Sequence, residues 1–496
     1  MKSDVLIIGA GPTGLVLANV LGSYNINTIL IEKNLTTVKE PRAVSIDDES
    51  LRTLQAIGVV DCVLPMISRN YGSHYLSPNR RTFAVVEPNS REYGFDKRNG
   101  FDQPELEQLL HQNLKKNKSI SLCFGNKAID IKQEGHGVFT DVVTQKGEFF
   151  GMKSKYVVAC DGASSTIRNK LGINMLGSSF LERWLIIDLF QTENKFRHTQ
   201  AHCDSRRPCI TLPGPNGIRR YEFKLQSHEC KNNRCDDSFA KHLLKGIGFD
   251  YNSKIRRKRV YTFHALVADR WRLGSVFLAG DAAHLSPPFA GQGMNSGIRD
   301  AHNLGWKLAY AIWNEDPKIL ESYELERKPH VQDMINVSVM MGRILAPRNK
   351  FIGFITRSFF YFFSLYKPLR LYFLHMRFKP KPHFKKGLVW KSNRKEDDAI
   401  LGRLFPQPEV EDPKRNRFLL DYFFNNQAVV LIFSESPEKA VKKSIVREFE
   451  RRDVLVIGLT PEWVSPEKAN FIIVREVSNF LSSNDSTTLN SEEIFF

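Results

Sequence analysis

Three stretches of this chain combine residue types and spacings that could do chemistry. The first is Gly9-Ala10-Gly11-Pro12-Thr13-Gly14, which follows a short apolar run at residues 4–8 and opens a helix-like segment from Leu15 to Ser23. A second apolar run, Thr28 to Ile31, ends in an acid, Glu32. Each position has a physical reason. Gly9 permits a tight strand-to-helix turn, Gly11 lets backbone approach a pyrophosphate, and Gly14 lets helix and strand pack closely. The positive end of the helix then faces the phosphates. Glu32 is placed to hydrogen-bond a ribose hydroxyl, which favours an unphosphorylated adenosine ribose, as in FAD or NAD. By itself this pattern specifies a dinucleotide and no more.

The second stretch is the strand-like Val157-Val158-Ala159-Cys160 ending in Asp161-Gly162, with Arg168 shortly after. The third starts at Gly274 and runs through Gly280-Asp281 and His284 to Pro288, then Gly291-Gln292-Gly293-Met294-Asn295. A strand there delivers Asp281 to its carboxyl end, where it can hold polyol hydroxyls such as a ribityl chain. The glycine-rich turn opens a helix near Gln292, whose free N–H groups and dipole suit negative charge on a reduced flavin. The three stretches together narrow the dinucleotide to FAD.

Other polar groups admit two readings each. Asp47 and Asp48 could accept a proton, or could cap the helix that starts near Glu49. His284 could be an acid–base group, or pack behind the glycine-rich loop. Arg206, Arg207 and Arg219 or Arg220 could pair a substrate carboxylate, or lie on a basic surface. Cys230 and Cys235, with His228 nearby, have the wrong spacing for a common zinc module, so no metal is expected.

The elements that must position these groups follow from the pattern of the whole chain. It has 496 residues, with 42% hydrophobic and 25% charged, which excludes wholesale disorder, collagen and coiled coil. Strand signals recur at 120–124, 138–143, 156–160 and 275–279, and helical periodicity covers Gln292 to Trp313. Between 180 and 265 apolar stretches alternate with turns, as in a mixed or antiparallel sheet. Gln427–Phe433, Pro437–Arg451 and Val454–Leu459 read as strand, helix and strand, and the polar tail Leu481–Glu493 as loose. Seven scattered cysteines do not make a disulfide scaffold, and Asp4 beside the first strand leaves no room for a signal peptide; a reducing cytoplasm is the expected home.

With these residues in view, the sequence resembles the class A flavoprotein monooxygenases, the aromatic-ring hydroxylases built like p-hydroxybenzoate hydroxylase. The three glycine motifs match in order and spacing. Within that family the resemblance is to the 3-(3-hydroxyphenyl)propionate hydroxylase branch. It is carried by Pro41-Arg42-Ala43-Val44, Asp47-Asp48-Glu49-Ser50-Leu51-Arg52, Gln103-Pro104-Glu105-Leu106-Glu107, Glu182-Arg183-Trp184-Leu185 and Val260–Ala265. The implied fold is α/β: a Rossmann-type FAD-binding domain, a β-sheet substrate domain and a small C-terminal thioredoxin-like α/β domain. The expected boundaries are 1–70, 101–178 and 262–340 for the FAD domain, and 71–100 and 179–261 for the substrate domain. Residues 341–395 would be a basic, aromatic-rich linker or helical segment, and 396–496 the C-terminal domain. That domain has no cysteine after Cys235 and so can do no thiol chemistry.

The resemblance also implies roles. Glu32, Arg42 and Gln103 match positions that touch FAD, Asp281 would hold the ribityl chain, and Pro288 to Asn295 would lie along the isoalloxazine. Asp161 and Arg168 belong to a motif serving both FAD and nicotinamide. Asp47, with Asp48 in reserve, matches an acid that related phenol hydroxylases carry. The implied reaction is hydroxylation of a phenol by O2 and NADH or NADPH, through a flavin C4a-hydroperoxide that the electron-rich ring attacks. The expected partners are a small aromatic substrate, O2, NAD(P)H and a second copy in a homodimer, with no nucleic acid. A polyketide or quinone-precursor hydroxylase, or a flavin-binding regulator without turnover, would use the same motifs. A flavin halogenase would need a Trp-x-Trp-x-Ile-Pro signature, which is missing.

One stretch lies outside anything catalysis requires. From Arg343 to Lys395 there are 14 Lys or Arg and no acid, so most of the net charge of +17 sits there. Phe351 to Leu374 is rich in Phe, Tyr and Leu, but Arg357, Lys367, Pro368 and Arg370 interrupt it, which argues against a spanning helix. It reads either as a segment packed over the core with a solvated basic face, or as a peripheral contact with anionic lipid.

Overall fold

The computed structural model describes residues 1–135, 137–230, 235–390, 401–461, 464, 471–477 and 492–495. The expected loose tail lies outside the described residues except for Glu492–Phe495, which forms a strand. The chain divides into one unit of residues 1–90 and 96–388 and a second of 91–95 and 389–496.

The first unit is organised by a sheet whose centre is parallel. Lys2–Ile8 runs between Thr28–Glu32 and Phe149–Ala159, with Val276–Leu278 beyond the latter and Ile120–Phe124 beyond the former. Val5, Leu6, Ile7 and Ile8 are all buried, as strands covered on both faces require. Ile8 pairs with Ala159, and Ala159 with Leu278. The three motifs therefore leave the sheet side by side at its carboxyl edge, although more than a hundred residues separate each from the next. Open α/β sheets bind ligands at such an edge. Behind it, the helices Pro12–Ser23 and Gly293–Trp313 touch closely: a Cβ on Gly305 would lie 2.5 Å from Val20 Cγ1.

A second sheet of eight strands is mostly antiparallel. Its order runs from His284–Leu285 through Lys254–Ala268, Met175–Phe190, Arg219–Lys224, Cys209–Pro213 and Thr199–His202 to Ser73–Leu76 and Thr82–Val86. Alternation gives it two apolar faces. Leu185, Ile187, Tyr221 and Phe223 pack under the helix Asp237–Ile247. Trp184, Ile186, Ala201, Ile210 and Tyr75 form the other face.

The basic segment is helical rather than an extended linker. Lys350–Leu365 and Lys367–Leu374 follow the long helix Ser322–Leu345, and the Asn349 side chain caps the first of them by accepting from Ile352 N. No helix of the described residues is long and apolar enough to cross a membrane. Cys230 and Cys235 form a disulfide, which removes both as metal ligands and gives this chain one local bridge that its scattered cysteines did not announce.

The second unit has its own sheet, in which Ala428–Ser434, Val454–Thr460 and Ile472–Glu476 are parallel. Val410, Leu431, Ile457 and Val474 are buried on one face. The expected helix 437–451 is two short helices, broken where Val441 turns extended. The unit starts at Val389 rather than at 396 and includes Arg91–Phe95.

Candidate active site

A cavity of about 440 Å³ runs from the carboxyl edge of the parallel sheet to the apolar face of the second sheet. At the sheet end its wall holds Gly9, Gly11, Glu32, Asp161 and Asp281. Gly9 has φ +107°, and a Cβ there would lie 2.4 Å from Cys160 O; one on Gly14 would lie 2.0 Å from Gly9 O. Both must be glycine for the turn to close. A Cβ on Gly11 would meet no protein atom within 4 Å, so that side of the turn is open to a ligand. Glu32 Oε2 accepts from Ala10 N at 2.9 Å, which ties the second strand to the turn.

Two acids are poised without full partners. Asp161 accepts from Ile167 N, while its buried Oδ1 has no hydrogen-bond partner among the described residues. Asp281 opens into the cavity, and its carboxylate hydrogen-bonds to no protein group among the described residues. Burial among protein atoms pushes both carboxyls above the usual range. Arg42 stands on the cavity wall, and its guanidinium makes no hydrogen bond to protein among the described residues. Its backbone N–H and that of Ala43 donate to Gln103 Oε1 at 2.8 and 2.7 Å. Gln103 in turn donates to Glu107, whose carboxyl burial pushes up to about 7. Gln103, Arg42 and Asp281 thus line a cradle with a side-chain amide, a cation and a hydroxyl acceptor. That is the donor set an adenine dinucleotide with a ribityl chain requires. Pro288, Gly291, Gly293 and Met294 line the cavity next to it, where the N-terminus of the Gly293–Trp313 helix opens.

The remaining motif residues lie behind the wall. Gly280 is buried with φ +61°, and a Cβ there would meet Thr13 Oγ1 at 2.5 Å. Arg168 donates to Ala282 O at 3.1 Å and Ala163 O at 2.9 Å, tying the Asp161 loop to the Asp281 loop. Asn295 donates to Gly291 O and Ser45 O and accepts from Asp47 N and Ser50 Oγ.

The three candidate acid–base residues are not on the cavity wall. Asp47 is 2% exposed, and its Oδ1 caps the helix Asp48–Ala56 by accepting from Ser50 N at 3.0 Å. Its Oδ2 is paired with Arg299 and, at 3.1 Å, Lys379. Glu49 shares both cations, at 2.6 Å from Arg299 and 2.9 Å from Lys379. Burial opposes ionisation of Asp47 and Glu49, but the two cations outweigh it and hold both carboxyls low. Asp48 lies deeper, 3.7 Å from Lys379, and burial pushes it up to about 7. His284 has no solvent exposure; it meets Asp300 at 2.7 Å and packs on Trp271, and Asp300 is also bound to Arg327 at 3.0 Å. It braces the loop from behind.

The arginines proposed for a carboxylate are engaged by protein. Arg206 is exposed and pairs Asp204, Arg207 is bidentate to Glu229, and Arg219 bonds Thr211 and Phe196 O. Arg220 does line the cavity, but Asp188 holds it bidentately at 2.6 and 3.0 Å and Pro41 O takes a further N–H.

Two other polar groups reach the cavity instead. Glu222 is 4% exposed and faces Ile210 and Ile186 across its strand pairs, and its carboxylate has no hydrogen-bond partner among the described residues. Burial pushes its carboxyl up to about 7, against the pull of Arg220. Arg98 stacks on the Tyr71 ring at 4.7 Å and donates to Ser73 Oγ. Around them Tyr75, Ile210, Met341, Phe289 and Phe378 supply an apolar lining. Neither residue was legible as functional: an acid in an alternating strand normally points to water, and Arg98 stands in a loop just before the strand Asn99–Gly100.

Comparison with known proteins shows the family. Residues 2–338 match the family described as FAD binding domain. The chain is 34% identical to a 3-(3-hydroxy-phenyl)propionate/3-hydroxycinnamic acid hydroxylase of Mycolicibacterium smegmatis, over 97% of this chain and 86% of that protein. It is 33% identical to the protein of that name in Klebsiella pneumoniae, over 93% and 83%. Among solved structures it resembles the flavin-dependent monooxygenase PieE in complex with FAD and substrate, with TM-score 0.77, 18% identity and coverage of 98% and 93%. It also resembles aklavinone-11 hydroxylase with FAD and aklavinone, with TM-score 0.72, 19% identity and coverage of 94% and 90%. The chain belongs to the FAD-binding family of aromatic hydroxylases and is an FAD-dependent aromatic monooxygenase.

Proposed function

We infer that this monooxygenase hydroxylates a phenol bearing a short carboxylate side chain, of the 3-(3-hydroxyphenyl)propionate kind, with NAD(P)H and O2. The observation that carries the reading is Glu222, a buried carboxylate that no group among the described residues hydrogen-bonds, facing the same cavity as the dinucleotide cradle.

The residues divide the work. Gly9 and Gly11 and the helix they open would take the pyrophosphate together with Arg42, Glu32 the adenosine ribose, and Asp281 the ribityl hydroxyls. Asp161 would add a hydroxyl or N–H acceptor through its orphan Oδ1. Pro288 to Met294 would border the ring system, with Gly280, Arg168 and Asn295 holding the loops. Bound FAD supplies hydride acceptance and oxygen activation, which no side chain provides. The chain's own tasks are to orient the phenol, exclude water and move one proton.

Glu222 suits the last task. A carboxylate titrating near 7 is ionised to a useful degree at neutral pH yet basic enough to draw on a phenol whose own pKa is about 10. The phenol O–H would donate to Glu222 Oε and pass its proton there as the ring becomes electron-rich. Arg98, in the loop before Asn99, lines the same cavity and is held to the second sheet through Ser73 Oγ. Glu222, Arg98, Ala201 and Ile210 line one cavity, where Glu222 would take the phenol end of the substrate and Arg98 its carboxylate. No second glycine motif exists for NAD(P)H, so the nicotinamide would visit a surface groove transiently; the cytoplasm, which supplies it, is the matching compartment.

The test is to incubate the FAD-loaded enzyme with 3-(3-hydroxyphenyl)propionate, NADH or NADPH and O2, and identify products by mass. A dihydroxylated acid formed in step with nicotinamide oxidation is the expected result. Nicotinamide oxidation with the phenol recovered intact would overturn the substrate assignment and turn attention to polyketide and quinone precursors.

A further inference from the structure

The helix Lys350–Leu365 wears its apolar side outward. A surface helix ordinarily turns its apolar stripe to the core. Here Gly353 and Phe360 face the body, while Phe351, Phe354, Phe359, Tyr361, Phe362 and Leu365 are 70, 61, 57, 62, 67 and 66% exposed. At about 100° per residue these six, with Ile352 and Ile355, cover roughly half the circumference opposite Phe360. The apolar surface continues at Tyr366 and Leu369, 62 and 41% exposed. Exposed cations border it at Arg343, Arg348, Lys350, Lys367 and Arg370, and no acid occurs anywhere from 343 to 395.

We propose that this face docks on the surface of an anionic lipid bilayer, with the helix lying in the interface plane. Single exposed apolar residues need no explanation, but a contiguous aromatic patch of this extent marks a contact. Aromatic and aliphatic side chains at its centre and Lys or Arg at its margin are the pattern of an interfacial helix. The short length and the break at Pro368 fit lying on a membrane, not crossing it. A second copy is a poorer occupant, since a two-fold contact would set one cationic margin against another with no acid to meet it. Nucleic acid is poorer still, because phosphates need cations at the centre of the patch, and there it is apolar.

The experiment is flotation of the full-length, FAD-loaded protein with vesicles of phosphatidylcholine alone and of phosphatidylcholine with phosphatidylglycerol. It uses wild type and a Phe354→Ser/Phe359→Ser/Phe362→Ser variant. All three rings are exposed, so FAD content and turnover in solution should be unchanged. Wild type should float with the anionic vesicles and not with the neutral ones, and the variant should lose about tenfold or more in affinity. No flotation at low salt would overturn the proposal. So would flotation that the variant leaves intact, which would mean cations alone. Sedimentation as a dimer that the variant splits, without lipid binding, would assign the face to a second copy. Tighter retention on duplex DNA than on vesicles would assign it to nucleic acid.

Discussion

Lys379 Nζ lies 2.9 Å from Glu49 Oε1, so one cation of the basic segment leaves that segment's surface and enters the core beneath the glycine-rich loop. With Arg299 it neutralises Asp47 and Glu49, which would otherwise be two buried charges in contact. The arrangement explains why three adjacent acids, close enough together to suggest a cation site, need no metal.

Replacing Lys379 by Met should therefore destabilise the fold. Removing one partner of a buried ion cluster costs about 3–5 kcal/mol, because the remaining charge is uncompensated. Thermal unfolding should show a large fall in Tm, and Asp47→Asn/Glu49→Gln in the Lys379→Met background should recover part of it.

The same cluster sets a pH dependence of stability. Asp47 and Glu49 have lowered carboxyl pKa values in the fold, so their contribution is complete above the ordinary carboxylate range and is lost as pH falls through the lowered values. Asp48 is raised to about 7, so its contribution runs the other way and fades as pH rises from the ordinary range through about 7. Urea midpoints measured across that range should rise above pH 7 in Asp48→Asn relative to wild type.

His284 should behave as a brace. His284→Gln should lower Tm and FAD affinity, since Asp300 loses one of its three buried partners, Arg327 and Gly280 N–H being the others, yet leave the pH profile of hydroxylation in place. A profile that loses a limb in this variant would return His284 to the chemistry.

Arg98 should act on binding of the acid. Arg98→Met should raise KM for a carboxylate-bearing phenol by about 10- to 100-fold, the worth of a charge-assisted hydrogen bond, with little change in kcat. A neutral phenol of the same shape should show no such penalty.

Much of this site was legible in the sequence, and the reason is topological. Parallel strands in register carry Gly9, Asp161 and Asp281 to one edge, so motifs scattered along the chain could be read as one site. Asp47 was legible too, since an acid before a helix caps it whatever else it does. Glu222 was not legible, because only the second sheet decides which face of an alternating strand meets a cavity, and Arg98 was not, because it stands in a loop that only the tertiary fold brings to Ser73. The arginines were misleading for the same reason. Asp204 takes up Arg206 within one turn, Glu229 takes up Arg207 from a distant loop, and Asp188 takes up Arg220 across a strand pair, and the last two pairings leave no mark on spacing. The outward apolar face of Lys350–Leu365 escaped because a helical stripe has the same period facing in or out.

The most direct measurement is stopped-flow oxidation of NADH and NADPH by wild type and Glu222→Gln, with and without 3-(3-hydroxyphenyl)propionate, across pH 5 to 9. Wild-type flavin reduction should be stimulated by the phenol, and product formation should rise through about pH 7. In Glu222→Gln that rise should vanish and the rate fall by about 10²- to 10⁴-fold, with FAD content intact. A Glu222→Gln enzyme with the wild-type rate and profile would contradict the assignment of the proton acceptor. A wild-type protein that holds no FAD would contradict the function itself.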